Sequence, residues 1–123
     1  MKILYAEDDV MMQKVVVHSL IRLGYEVTTV DDGEEAMEVI DNEEFDLIIL
    51  DLFMPKASGF EVVEYIRDQK KLDTKVLIIS RNHLDDTIQK AYTTGADDYI
   101  VKPFTPEQLV IKLTKLLAPK RKE

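Results

Sequence analysis

The chain has no cysteine in its 123 residues, which excludes disulfides, thiolate metal sites and thiol nucleophiles. A cysteine-free chain fits a reducing compartment, and the cytoplasm is the expected location. No apolar run is longer than a short strand, so no segment of the sequence spans a bilayer. Met1-Lys2 leads directly into strand-like sequence, without the hydrophobic stretch of a signal peptide. Basic side chains are scarce: 16 Lys and Arg stand against 24 Asp and Glu, for a net charge of −8. Direct nucleic-acid binding needs a basic face and is not expected. The scarcity is uneven, since residues 1–68 carry 17 acidic and 5 basic side chains whereas residues 69–123 carry 7 and 11. Solvated helix faces account for any single charge, and a polarised docking surface accounts for the pattern as a whole. Internal repeats, low-complexity stretches and linkers are absent before Pro119.

Alternating short apolar strands and amphipathic helices fill the rest, at a length that suits one domain. Strands are predicted at 2–6, 26–30, 46–50, 75–79 and 98–101, each rich in Val, Ile, Leu or Tyr. Between them, Met12, Val15, Val16, Leu20 and Leu23 recur at helical intervals over 9–23, and Gly24 follows as a C-terminal cap. Asp32-Gly33 opens a second helix with Ala36, Val39 and Ile40 inward, and a third over 59–69 carries Phe60, Val63 and Ile66. The fourth, over 84–94, carries Leu84, Ile88 and Ala91 and stops at Gly95. Thr105-Pro106-Glu107 starts the last, which runs through Leu109, Leu113, Leu116 and Leu117. Five βα units in succession predict an α/β fold, a parallel sheet covered by helices on both faces.

In an open doubly wound sheet, ligands bind outside the C-terminal strand ends. Glu7, Asp8, Asp51, Ser80 and Lys102 each lie at or just past such an end. If the first and third strands are neighbours, three acids meet there. Carboxylates about 4 Å apart repel by about 4 kcal/mol at an effective dielectric near 20, so the cluster calls for a cation or protons. Taken singly, each residue has a plainer reading. Asp9 is best read as a helix cap, Lys102 as a surface lysine, Ser80 as a turn former and Tyr99 as a half-buried aromatic on an edge strand. His18 and His83 have no ligand partner at metal spacing and are read as structural or solvent-facing.

Together, in order and at their spacing, these residues resemble the receiver domain of two-component response regulators, including chemotaxis-type single-domain regulators, over nearly all of residues 2–118. Glu7-Asp8 resembles the acid pair, and Asp51 in Asp51-Leu52-Phe53-Met54-Pro55, with Gly59 beyond, resembles the phosphoacceptor. Ser80 matches the hydroxyl position, Tyr99 the aromatic switch and Lys102-Pro103-Phe104 the lysine motif, whose Lys-Pro bond is usually cis in receivers. The resemblance implies a flavodoxin-like five-stranded sheet in the order 2-1-3-4-5, an order for which a member of that family is a standard example. It implies a receiver domain over 1–118 and, over 119–123, a charged tail or the start of a linker.

The resemblance further implies Mg²⁺ held by Asp8, Asp51 and the main-chain oxygen of Phe53, with Glu7 acting through water. Asp51 would take a phosphoryl group from the phosphohistidine of a sensor histidine kinase or phosphotransfer protein, assisted by Lys102 and Ser80. Ser80 and Tyr99 would then switch the surface of the fourth helix, fifth strand and fifth helix toward an output domain or protein, with a phosphorylation-dependent dimer as a further option. Arg81 departs from the small residue usual after the hydroxyl, and Phe53 is bulky beside the acceptor; with Asn82 they are expected to set the acyl-phosphate lifetime. On this reading the chain is a switch and not an enzyme. A magnesium-dependent phosphohydrolase is the alternative, but it commonly needs a second acid two residues after the nucleophile, where this chain has Phe53. An unphosphorylated interaction module is the third reading, and the complete acid, hydroxyl and lysine set argues against it.

Overall fold

Strand side chains alternate between two helical layers, and that alternation divides the core in two. In the computed structural model, which describes residues 1–118, Leu4, Ala6, Ile48, Leu50, Val76 and Ile78 face one side. Ile3, Tyr5, Leu47, Ile49, Leu77 and Ile79 face the other. The segment 119–123, expected as tail or linker, lies outside the described residues.

The elements follow in the order β1 (Lys2–Ala6), α1 (Val10–Arg22), β2 (Glu26–Val30), α2 (Gly33–Asn42), β3 (Leu47–Asp51), α3 (Gly59–Glu64), β4 (Lys75–Ser80), α4 (Asp85–Thr94), β5 (Asp98–Val101) and α5 (Pro106–Leu117). All strand pairs are parallel, in the order β2-β1-β3-β4-β5. This is the doubly wound α/β fold that the resemblance implies. Helices α1 and α5 supply Val16, Leu20, Leu109 and Leu113 to one core layer, and α2, α3 and α4 supply Ala36, Ile40, Val62, Val63 and Ala91 to the other. The strand order reverses between β1 and β3, so the C-terminal ends of these adjacent strands border the crevice where such folds bind ligands.

Local sequence accounts for most helix ends. Asp9 caps α1 by accepting from the amides of Met11 and Met12, Asp32 caps α2, and Ser58 caps α3. Thr105 and Gln108 close a capping box at the start of α5, with Pro106 at its first turn.

The structure departs from the expected elements in several places. Residues 65–69, predicted as the last part of an α-helix, form a π-helical turn, Tyr65–Gln69, in which the Lys70 amide reaches the Tyr65 carbonyl. The wider turn keeps Ile66 in the core and lets Arg67 reach across to the chain on either side of β4. Val15, Leu23 and Leu84, which fall on the helical apolar spacing, are exposed: Val16 and Leu20 already face the sheet from α1, and Leu84 precedes the first turn of α4. Strands β3 and β4 each run one residue further than predicted, which brings Asp51 and Ser80 into the sheet as its terminal residues. Edge strand β2 is not apolar on both faces, since Glu26, Thr28 and Thr29 interrupt its two valines, and it buries only Val30.

Candidate functional site

Glu7 follows β1 directly, and its amide donates to the Val30 carbonyl at 3.1 Å, so the backbone is still held by the sheet where the side chain turns inward. That side chain is fully buried. Its Oε1 accepts from Lys102 Nζ at 2.7 Å and from the Tyr5 hydroxyl at 3.1 Å, while Oε2 accepts from the Asp9 amide at 3.3 Å. Gln13 of α1 steadies the same corner by donating to the Glu7 carbonyl at 3.0 Å and to Asp31 Oδ1 at 3.2 Å. Asp8, next along, is exposed.

Asp51 closes β3 and is buried. Its Oδ2 accepts from Lys102 Nζ at 3.0 Å, and its Oδ1 from the Phe53 amide at 3.2 Å. Lys102 reaches this point because its amide bonds the Ser80 carbonyl at 2.8 Å, continuing the β4–β5 pairing by one residue; the Lys102-Pro103 peptide is cis. Gly59 lets the following helix start close against the acceptor strand. A Cβ at Gly59 would come within 2.8 Å of the Asp51 carbonyl oxygen and 2.9 Å of Leu52 Cα.

Burial and charge set the protonation of this group. Burial, reinforced by the neighbouring Asp51 carboxylate and opposed by Lys102, pushes the Glu7 carboxyl up to about 7. Burial pulls the Lys102 ammonium down, but its bond to Glu7 and the charge of Asp51 outweigh that and hold it above the ordinary lysine value. Burial, with Glu7 beside it, also raises the Tyr5 phenol.

One carboxylate oxygen from each of Glu7, Asp8 and Asp51 falls within 4.8 Å of the others. With all three carboxylates ionised, as a bound cation requires, they and the one ammonium carry a formal excess of two negative charges. An all-oxygen donor set with that excess, partly exposed at Asp8 so that water can complete a coordination shell, fits a hard divalent cation such as Mg²⁺.

Ser80 is fully buried at the end of β4, and its Oγ accepts from the Asn82 amide at 3.0 Å. The Tyr99 hydroxyl donates to the Asn82 carbonyl at 2.7 Å, so Asn82 joins the two predicted switch residues. Tyr99 is not half-buried, as its edge strand suggested, but 6% exposed and packed in the α2–α4 layer, and burial raises its phenol. The Phe53 ring is exposed beside Asp51. Arg81, also exposed, lines a cavity of about 360 Å³ with Met12, Lys102 and Pro103. The predicted residues thus fall into a core of Glu7, Asp8, Asp51 and Lys102, an adjoining Ser80–Asn82–Tyr99 chain, and a rim formed by Phe53 and Arg81. Tyr5, Gln13 and Met12 were not anticipated. Tyr5 had a readable signal, since a residue two before Glu7 on a strand lies on the same face.

An open parallel sheet with clustered acids at its switch point and a lysine bridging two of them defines a receiver-like class of domain. The model described as the response regulator receiver domain matches residues 3–114, and the chain belongs to that family. It is 34% identical over 116 residues to the alkaline phosphatase synthesis transcriptional regulatory protein PhoP of Bacillus subtilis, covering 94% of this chain and 48% of that one. It is 37% identical over 118 residues to the probable transcriptional regulator ycf27 of Guillardia theta, covering 94% and 45%. The chain therefore spans about half the length of the curated relatives it matches. Among solved structures, the chemotaxis response regulator CheY4 of Vibrio cholerae superposes with a TM-score of 0.89 at 36% identity, covering 94% of this chain and 98% of that one. The receiver domain of a Pseudomonas aeruginosa sensor histidine kinase, solved with magnesium coordinated in its active-site cleft, superposes with a TM-score of 0.86 at 28% identity, covering 96% and 98%. Among the described residues no helix is long and apolar enough to cross a membrane.

Proposed function

We propose that this response regulator receiver domain is a phosphorylation-controlled switch over residues 1–118 and works in the cytoplasm, with Asp51 as phosphoacceptor. The observation that carries the reading is the Lys102 ammonium, bonded to Glu7 at 2.7 Å and to Asp51 at 3.0 Å beside a three-carboxylate cluster. Asp8, Asp51 and the main-chain oxygen of Phe53 would hold Mg²⁺, with Glu7 acting through water. An ion held there would neutralise the acids and supply positive charge for the transferring phosphoryl oxygens.

The chain's own residues do the rest. An Asp51 carboxylate oxygen attacks phosphorus as the bond to the donor's histidine nitrogen breaks, and that nitrogen keeps the electron pair. The donor is a sensor histidine kinase or a phosphotransfer protein. Lys102 pairs with the charge placed on the acceptor, and Ser80 donates a hydrogen bond to another phosphoryl oxygen. Drawing Ser80 toward the phosphoryl group disturbs its bond from the Asn82 amide, and Asn82 is also what Tyr99 holds. Through that chain the surface of α4, β5 and α5 changes its affinity for an output domain or protein, or for a second copy of the domain. Moving such a switch from 1:99 to 99:1 takes about 5.5 kcal/mol, so a few charge-assisted bonds favour partial switching over complete switching. Phe53 beside Asp51, Arg81 in the cavity beside Lys102 and Asn82 bonded to Ser80 set how long the acyl phosphate lasts. Loss of phosphate from Arg81→Ala protein measures this, and an unchanged rate removes Arg81 from that role.

Calorimetric titration with Mg²⁺ tests the site. The native chain is expected to bind, and Asp8→Asn and Asp51→Asn each to weaken binding by roughly tenfold or more, as expected for losing a charged ligand. Equal affinity in all three proteins contradicts the assignment.

A further inference from the structure

Tyr5 is a polar exception in an apolar layer. It is fully buried on β1, in the core layer of Ile3, Leu47, Ile49 and Leu77, where a phenylalanine would occupy nearly the same space. A hydroxyl placed there is unfavourable unless it is bonded, and among the described residues its one hydrogen bond is to Glu7 Oε1, at 3.1 Å. Burial and the Glu7 carboxyl beside it keep the phenol protonated, so it serves as a donor.

That bond changes what Glu7 can do. Its Oε1 accepts from both Tyr5 and Lys102 Nζ, the latter at 2.7 Å, whereas Oε2 has a single, longer bond from the Asp9 amide at 3.3 Å. Two donors converging on one oxygen fix the rotation of the carboxyl group and leave Oε2 as the oxygen with capacity to spare. Lys102 does not hold this geometry alone. It also bonds Asp51 at 3.0 Å, and in the transfer proposed above it pairs with the charge placed on the acceptor. The Tyr5 hydroxyl bonds no second acceptor among the described residues, so its hold on Glu7 outlasts that of Lys102.

Resting on the proposed cation site of Glu7, Asp8 and Asp51, we infer that Tyr5 is a positioning residue for that site: its hydroxyl holds the Glu7 carboxylate in the orientation that serves metal-bound water, whether or not Lys102 is engaged elsewhere. A carboxylate facing a bound cation is ionised, which strengthens the bond it accepts from the phenol. Glu7 is otherwise a long side chain free to turn about its last bond, and the phenol removes that freedom.

Calorimetric titration of the whole chain with Mg²⁺ tests this as a double-mutant cycle of native, Tyr5→Phe, Glu7→Gln and the double variant. Tyr5→Phe is expected to bind Mg²⁺ roughly three- to tenfold more weakly, a modest loss because Tyr5 acts through Glu7 and Glu7 through water. On the Glu7→Gln background the same substitution is expected to add less than about twofold. A residue that merely fills the core would cost as much in one background as in the other. Phenol Cζ resonances of the chain labelled on its tyrosine rings give a second readout that needs no Tyr5 variant. One resonance is expected to move on adding Mg²⁺ and to be the one displaced by Glu7→Gln. Tyr5→Phe protein that binds as tightly as the native chain, or that loses as much on the Glu7→Gln background, overturns the inference and leaves the cation site standing. So do tyrosine resonances indifferent to both changes, which decide the matter where Tyr5→Phe does not fold or Glu7→Gln does not bind. A native chain that binds no Mg²⁺ overturns the site and the inference with it.

Discussion

Asp98 shows how one side chain ties three elements of this fold together. Its carboxylate on β5 accepts from Tyr92 of α4 at 3.0 Å, from Lys112 of α5 at 2.9 Å and from the Tyr99 amide at 2.8 Å. Burial alone would raise its pKa, but Lys112, the Tyr99 amide and Tyr92 outweigh burial and hold the group below the ordinary carboxylate value. A depressed value in the folded state means that the stabilisation is present above the unfolded value of about 3.9 and is lost as pH falls through the folded one. Asp98→Asn is therefore expected to be less stable than the native chain at neutral pH by about 1–2 kcal/mol, with the gap closing below about pH 4. Urea unfolding at several pH values checks this, and a gap independent of pH contradicts it. At Gly59 the constraint is steric. Gly59→Ala must push back the Asp51 carbonyl or Leu52, so a loss of about 1–3 kcal/mol is expected, together with weaker Mg²⁺ binding. The site was legible at this scale because Glu7, Asp8, Asp51 and Lys102 each follow an apolar run. Tyr5 was not, because a hydroxyl inside such a run reads as another apolar residue until the facing carboxylate is known.

Among the elements, the π-helical turn after α3 is held by Arg67. Its Nε donates to the Gly95 carbonyl at 3.0 Å, its Nη1 to the carbonyls of Leu72 and Thr74 at 2.8 Å each, and its Nη2 to Asp97 at 2.9 Å. Asp97 in turn accepts from the Val76 amide at 2.8 Å, so a single guanidinium joins α3, the start of β4 and the end of α4. Arg67→Ala leaves these acceptors to water and is expected to cost about 2–4 kcal/mol, seen as a lower midpoint in chemical denaturation; Arg67→Lys, lacking the planar fork, recovers only part. No change in midpoint rules the clasp out. Helical periodicity could not foresee the π turn, because Ile66 continues the apolar spacing and the departure is set by distant carbonyls. The same limit applies to Val15, Leu23 and Leu84, which continue the apolar spacing and are nonetheless exposed. A periodic apolar residue is buried only if a partner surface exists, and α1 meets the sheet through a narrower stripe than its sequence suggests.

At the scale of the molecule, the five strands gather acids from β1 and β3, a hydroxyl from β4 and a lysine from β5 at one rim. Sequence reading reached that arrangement because parallel βα units leave few topologies, whereas the order 2-1-3-4-5 came from family resemblance. The acidic first half supplies the cluster, and the more basic second half supplies Lys102 and the α4–β5–α5 face. Everything functional follows from whether that rim delivers phosphorus to one oxygen. Mass spectrometry of the whole chain after exposure to phosphoramidate, with and without Mg²⁺, followed by peptide mapping, measures this directly. The account predicts a single added phosphoryl group, located on Asp51, dependent on Mg²⁺ and absent from Asp51→Asn. The same gain in Asp51→Asn, or labelling that ignores Mg²⁺, would contradict it.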